Sequence, residues 1–321
     1  MLREVYAALG VADDDVAWLS ELSIEQDLEG NFFSGFGDTP EELPVSLKPN
    51  LTETLEVDRP AVKLINGNGK AAKLIMKDLM PKATEWAHAQ GIVCIGLKNC
   101  GYQAALSTIA RKFAEQDLLC IYSGNGGPQG VVPYGGRKDI LGTNPIAYGI
   151  PTNDMPIVFD AATAERAYGT IAYARKRKLL LRPDVYLDKG GNYTTDPEAA
   201  ISLIAFGGYK GYAINLLLDV LTGALVGAQT GTLVHEDPDL GGILILVDPA
   251  AFGPLEDFKS QTDQLVKDIE SDPPAEGFDE VRVPGYRSQR LRQRQLDEGM
   301  VEVEDRVWND FVALHKKLSS S

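Results

Sequence analysis

The sequence predicts an α/β fold, and three observations carry that prediction. Between residues 60 and 125, short apolar runs of strand length alternate with longer segments of helical period. Two of those runs, Ile92 to Leu97 and Leu118 to Tyr122, are apolar almost throughout, as strands covered on both faces are. Further along, turns rich in glycine or marked by proline each abut a regular element. Such turns suit a site built from backbone, because glycine lets other atoms approach the chain closely.

Taken in order, residues 1–30 read as helical, with Leu2, Val5, Tyr6 and Leu9 and then Val16, Leu19 and Leu22 at helical spacing. Residues 31–60 read as an irregular surface loop, broken by Pro40, Pro44, Pro49 and Pro60. Val62 to Ile65 is a strand ahead of the turn Asn66 to Gly69. A helix over Lys70 to Gln90 carries Leu74, Ile75, Leu79 and Ala83 on one face, is interrupted by Pro81, and stops at Gly91. Another helix is expected over Ala104 to Gln116. Asp160 is a candidate N-cap for a helix to Lys178, whose basic last turn favours the helix dipole. Pro183 to Asp196 reads as a loop or hairpin, Tyr212 to Ala228 as a long apolar helix, and Ile243 to Val247 as a strand. Phe258 to Ser271 is an amphipathic helix, Val281 to Gly285 a short strand and turn, and Glu302 to Leu318 a closing helix.

Composition limits the function. The chain has 321 residues, enough for one large or two interlocked domains. Its net charge of −15 makes nucleic acid a poor partner, since phosphate binding needs a basic surface. The three cysteines, Cys94, Cys100 and Cys120, lack the spacing of a zinc site and are odd in number. They read as buried thiols of a reducing compartment, so a cytoplasmic protein is expected, with no metal. Met1 to Gly10 has no long apolar core, and the helix after Tyr212 carries Asp219, so neither a leader nor a membrane span is expected.

Three segments could hold a ligand. Ser123-Gly124-Asn125-Gly126-Gly127-Pro128 follows a buried strand, where successive N–H groups can form an anion-binding concavity, although taken alone such a segment is more often an ordinary tight turn. Asp160-Ala161-Ala162-Thr163, read as a helix start after a strand, would offer free amides and a positive dipole end to a phosphate. Phe206-Gly207-Gly208-Tyr209-Lys210-Gly211-Tyr212 puts three glycines, a lysine and two tyrosines at the mouth of an apolar helix. Lysine is a good point charge for phosphate, although a glycine hinge with a solvated Lys210 fits the same residues. Neither a GxGxxG fingerprint nor a P-loop occurs.

Together with Pro133-Tyr134-Gly135-Gly136-Arg137 and Leu141-Gly142-Thr143-Asn144-Pro145, these segments have the order and spacing found in the malate/L-lactate dehydrogenase family, which the chain resembles over residues 60–300. The resemblance implies a malate/L-lactate dehydrogenase-like α/β fold with a non-Rossmann NAD(P)-binding domain. It implies NAD or NADP as cofactor, a small-molecule substrate and a homodimer. It places the cofactor domain at residues 121–239 and a substrate and dimerisation domain at 1–120 plus 240–321. Carried over by position, the cofactor would meet Gly126, Gly127, Thr143, Asn144, Asp160, Ala161, Ala162, Lys210, Gly285, Arg287 and Arg290.

The departures from the family are on the substrate side. The family has Ser-His-Gly, Asn-Ser-x-His and Gly-Gly-His-Lys-Gly; this chain has Phe33-Ser34-Gly35, Asn99-Cys100-Gly101-Tyr102 and Gly207-Gly208-Tyr209-Lys210-Gly211. Its three histidines, His88, His235 and His315, fall at none of these positions. His235 lies in an acidic loop with Glu236 and Asp237. Reduction of a carbonyl needs a proton donor. Tyr102 or Tyr209 is then the candidate donor, with Lys210 beside Tyr209 and Ser34 retained from the first motif. An imine, which can enter already protonated, suits such a site better than a 2-keto acid. A different reaction on the same cofactor, and a silent paralogue that binds a cofactor or partner, stay open.

Overall fold

The computed structural model describes residues 1–31, 34–103, 105–128, 130–235 and 237–320. Phe33, Ala104 and Glu236, named above, lie outside the described residues. The N-terminal helical stretch is two helices, α1 (Leu2–Ala8) and α2 (Asp13–Leu28), parted at Gly10, whose φ of 88° ends the first. Strands β1 (Thr54–Arg59) and β2 (Val62–Asn66) form a hairpin, so the irregular stretch expected over 31–60 ends in a strand. Helix α3 (Ala72–Gln90) runs through Pro81 and stops at Gly91, which has a φ of 75°. Strand β3 (Ile92–Cys100), helix α4 (Leu106–Ala114) and strand β4 (Leu119–Gly124) follow.

Beyond them come β5 (Val131–Val132), β6 (Ile146–Ile150), β7 (Ile157–Ala161) and α5 (Gly169–Arg177). The expectation of a helix capped by Asp160 is corrected here. Ile157 to Ala161 pairs antiparallel with Ile146 to Ile150, so Asp160 sits in a strand and α5 begins only at Gly169. The ladder hydrogen bonds override the local capping signal. Next are β8 (Tyr186–Leu187), β9 (Tyr193–Thr194), β10 (Ser202–Ile204), α6 (Tyr209–Thr222) and β11 (Leu240–Val247). The chain closes with α7 (Leu255–Ser271), α8 (Tyr286–Glu298) and α9 (Asp305–Ser319). No strand forms at Val281 to Gly285; Val283 is instead packed among Ile157, Val266 and Tyr286.

The large sheet has the order β1-β2-β3-β11-β4-β6-β7, with β2 and β3 parallel and the other neighbours antiparallel. A late strand, β11, is thus threaded between β3 and β4, and β4, β6 and β7 share one sheet with it. Helices α3 and α4 cover one face, burying Ile75, Met76, Val93, Ile95, Leu97, Phe113 and Tyr122 together. Helix α6 lies against the other face, close enough that a Cβ on Gly241 would overlap the Thr222 carbonyl. A second sheet, ordered β5-β10-β8-β9, packs with α5 over Val131, Leu141, Ile171, Tyr186 and Leu203.

At the end of α2, Asp27 is fully buried. One carboxylate oxygen, Oδ2, accepts the Phe36 N–H at 2.8 Å; the other, Oδ1, has no partner among the described residues. Burial pushes its pKa up to about 7. An unfolded aspartate ionises near 4, so between about pH 4 and 7 the folded chain holds a proton that the unfolded chain has lost. Stability therefore falls as pH rises through that window and levels off above it. Asp27→Asn is expected to gain roughly 1–3 kcal/mol at pH 8, with the gain vanishing near pH 4. Denaturant unfolding at pH 4, 6 and 8 checks this, and an equal effect at all three values contradicts it.

Candidate active site

Several strand ends meet at one edge of the large sheet. Cys100 ends β3 opposite Leu240, which opens β11, and Gly124 ends β4 opposite Gly242. Ser123 faces Ile146, the first residue of β6, and Ile146 faces Ala161, the last of β7. Tyr102, the Gly126-Gly127 turn, Thr143-Asn144 and Asp160 to Ala162 all lie at or just beyond these ends. The topology therefore gathers most of the residues singled out in the sequence.

The contacts among them are tight. A Cβ on Gly126 would sit 2.5 Å from Thr143 Oγ1 and closer still to the Asn144 nitrogen. Gly127 has a φ of 92°, and a Cβ there would lie 3.2 Å from the Tyr102 hydroxyl. Glycine is required at both places, and it lets Tyr102 come down onto the turn. The Tyr102 N–H donates to Asp237 Oδ1 at 3.2 Å, and Ser46 Oγ holds the other carboxylate oxygen at 2.7 Å. Buried Gln103 Oε1 and Asn125 Nδ2, from residues next in sequence to Tyr102 and Gly126, have no partner among the described residues.

The hydrogen bonds of the glycine turn fit an ordinary tight turn rather than an anion-binding concavity. Gly126 N–H donates to Asn144 Oδ1 and Gly127 N–H to Asn125 Oδ1, each at 3.0 Å. Both donors are used inside the protein, so the turn contributes close approach rather than amides. Likewise Asp160 to Thr163 has no helix dipole to offer. Thr163 instead packs onto the preceding turn, its buried hydroxyl 3.0 and 2.9 Å from the Thr143 and Asn144 carbonyls. Asp160 is crowded by protein yet open to water at the edge. The crowding raises its carboxyl to about 6, against the opposing effect of the Ser107 N–H at 2.9 Å.

At the start of α6, the Tyr209, Lys210 and Gly211 N–H groups have no acceptor among the described residues. Gly207 and Gly208 have φ values of 56° and 66°, and the first turn's N–H groups have no intrahelical acceptor. Lys210 is exposed in that turn, and Tyr209 packs edge-on against Tyr134 at 6.1 Å between centroids. Phe206 N–H donates to the Thr163 carbonyl at 3.1 Å, which ties this helix mouth to the end of β7.

Two polar residues of α6, Asn215 and Asp219, were not singled out as site residues by sequence. Asn144 Nδ2 donates to Asn215 Oδ1 at 2.9 Å and to Asp219 Oδ1 at 3.1 Å. Asn215 Nδ2 donates to the Gly142 carbonyl at 2.9 Å, and Asp219 Oδ2 accepts the Gly231 N–H at 2.9 Å. All three side chains are buried, and burial raises the Asp219 pKa against the pull of its donors.

The remaining candidates stand apart. Ser34 lines a small cavity with Ser23, Asp38, Lys73 and Ala105. Gly285 packs on Val158, nearer the middle of β7 than its Ala161 end. Arg287 is exposed, and Arg290 pairs with Glu270 at 2.5 Å. His88 pairs with Asp248 at 2.8 Å and His315 with Glu4 at 2.7 Å, while His235 is exposed. Among the described residues no helix is long and apolar enough to cross a membrane.

A helix N-terminus opening beside glycine turns at the strand ends can accept an anionic group such as a phosphate. The family model described as malate/L-lactate dehydrogenase matches residues 1–312. A malate/(S)-sulfolactate dehydrogenase of Methanothermus fervidus is 30% identical over 312 residues, covering 94% of this chain and 90% of that protein. An NAD(+)-dependent ureidoglycolate dehydrogenase of Escherichia coli O157:H7 is 31% identical over 268 residues, covering 81% and 76%. The crystal structure of a delta1-piperideine-2-carboxylate reductase from Pseudomonas syringae superposes with a TM-score of 0.86 at 25% identity, covering 98% and 96%. The chain belongs to the malate/L-lactate dehydrogenase family, has its fold, and is an NAD(P)-dependent oxidoreductase.

Proposed function

We propose that this oxidoreductase reduces a small cyclic imine or 2-keto substrate, with Tyr102 as the proton donor. The observation that carries the reading is the Tyr102 hydroxyl lying against Gly127 at the edge where the glycine turns converge. The cofactor, NADH or NADPH, supplies hydride. In this reading the open first turn of α6 and Lys210 hold its phosphates, because that turn combines free amides, a positive dipole end and a cation. Gly126, Gly127, Thr143, Asn144, Asp160, Ala161 and Ala162 line the approach. Residues 121–239 form the cofactor side, and 1–120 with 240–321 the substrate and dimerisation side.

Tyrosine is a weak acid near neutral pH, so an imine that arrives protonated asks less of Tyr102 than a ketone does. The histidine pairings with Asp248 and Glu4 support this choice, since both rings are committed elsewhere. Tyr209 is the less favoured donor, as it packs on Tyr134. Cofactor oxidation should be followed with a cyclic imino acid and with a 2-keto acid. Tyr102→Phe is expected to lower turnover about a hundredfold without changing cofactor affinity. Lys210→Ala is expected to weaken cofactor binding about tenfold. Unchanged turnover in Tyr102→Phe removes the catalytic assignment.

We also read the protein as a cytoplasmic homodimer. Helix α6 exposes Leu216, Leu217 and Val220, and Leu225 and Leu233 follow at about 60% exposure. An apolar face of this kind suits a second copy of the chain. The three free cysteines fit a reducing compartment. Sedimentation of the purified chain should give twice the monomer mass, and Leu217→Glu should return it to the monomer.

A further inference from the structure

A buried amide and carboxylate cluster links α6 to the glycine turn, and so joins the two halves of the proposed site. The Asn144 side chain uses three of its four hydrogen-bonding directions, including both of its N–H donors. Its Oδ1 takes the Gly126 N–H, and its two Nδ2 protons go to Asn215 and Asp219. The amide could be turned over only by setting its NH₂ against the Gly126 N–H and its oxygen against the Asp219 carboxylate. Asp219 therefore decides which way the Asn144 amide faces, and so whether Gly126 keeps its acceptor. Asn144 itself has a φ of 31°, a strained value that needs its surroundings to hold it.

We infer that Asp219 is a positioning residue for the cofactor, acting through Asn144 and seconded by Asn215. It sits 3% exposed among amide donors, with no cation partner among the described residues. Burying a carboxylate in this way is costly unless its hydrogen bonds are well placed. The clasp sets the register of α6 against Gly142, Asn144 and Gly126. It thereby fixes the open helix mouth at Tyr209 and Lys210 relative to the turn beneath Tyr102. The proposal rests on the reading of α6 and the glycine turn as the cofactor site.

The test uses native protein, Asp219→Asn and Thr222→Val. Thr222 is equally buried on the same helix, but among the described residues its hydroxyl bonds only to the Leu218 carbonyl (2.8 Å) and not to Asn144. Two readouts are taken, NADH and NADPH affinity by calorimetry and hydrogen exchange of the segment around Gly126. Asp219→Asn is expected to bind the cofactor about tenfold more weakly, the factor one charge-assisted hydrogen bond carries. Exchange at Gly126 should quicken while the α3 segment stays as in the native chain. Thr222→Val should bind like the native protein. Equal weakening by both variants would reduce the clasp to general stability, and unchanged binding in Asp219→Asn would overturn the proposal. Should the native chain bind neither cofactor, the function proposed above fails; unchanged Gly126 exchange in Asp219→Asn would then sink the clasp as well. If Asp219→Asn does not fold, Asn215→Ala removes the other half of the clasp and is judged by the same readouts.

Discussion

Arg111→Met is expected to destabilise the protein by about 3–5 kcal/mol at neutral pH. The Arg111 side chain is 3% exposed and binds three carboxylates, Glu25 and Glu115 at 2.6 Å and Glu29 at 3.1 Å. Arg292 also reaches Glu25 at 2.6 Å, so helices α2, α4 and α8 are held at one hub. Methionine fills similar space but leaves Glu29 and Glu25 buried with one cation fewer. Burial already raises the Glu29 pKa despite Arg111, and removing the cation raises it further. A raised carboxyl pKa favours the folded state at low pH, so the loss should shrink as pH falls from 7 toward 5. Denaturant midpoints at the two pH values check both the size and the trend. A loss under about 1 kcal/mol, typical of exposed ion pairs, would mean that the hub contributes little.

Gly126→Ala is expected to weaken cofactor binding about 10- to 100-fold. The added methyl would meet the Asn144 nitrogen and Thr143 Oγ1, and one of the two is backbone that cannot swing away. Overpacking of this kind costs about 1–3 kcal/mol, which at about 1.4 kcal/mol per factor of ten gives that range if the strain falls on the site. The turn lies at the sheet edge, outside the cluster of Ile75, Val93, Leu97 and Phe113, so the folded state should survive. Calorimetric titration beside the native protein checks the affinity, and circular dichroism checks the fold. Native-like affinity in a folded Gly126→Ala would place the cofactor elsewhere.

How much of this was legible in the sequence depended on burial pattern. Strands β3 and β4 read clearly because helices cover one face and α6 and its neighbours the other, leaving continuous apolar runs. Helix α3 read clearly from its apolar stripe and from Gly91. Strand β6 carries no clear strand signal in the sequence. Its Gly149 looks like a turn residue, but it is glycine because the Ala110 carbonyl of α4 lies against it. Without β6, its partner β7 had no reason to extend through Asp160, and the aspartate passed for a helix cap. The second sheet is built from strands of two or three residues, too short to show a period.

The site was legible as motifs but not as bonding. Tyr102, Gly126, Gly127, Thr143 and Asn144 stood out, and the strand ends do bring them together. Which N–H groups would be free could not be read, because Asn125 and Asn144 supply side-chain acceptors only after folding. Asn215 and Asp219 had a signal: four residues apart in an apolar helix, they share one face. Asp219 drew attention only as a charge unsuited to a membrane span.

The central claim is that the open mouth of α6 and the turns around Tyr102 form one cofactor site. Its most direct test is calorimetric titration of the native chain with NADH and, separately, with NADPH. Saturable micromolar binding of at least one of them is expected, at one site per chain. Absence of binding by both at millimolar concentration would contradict it.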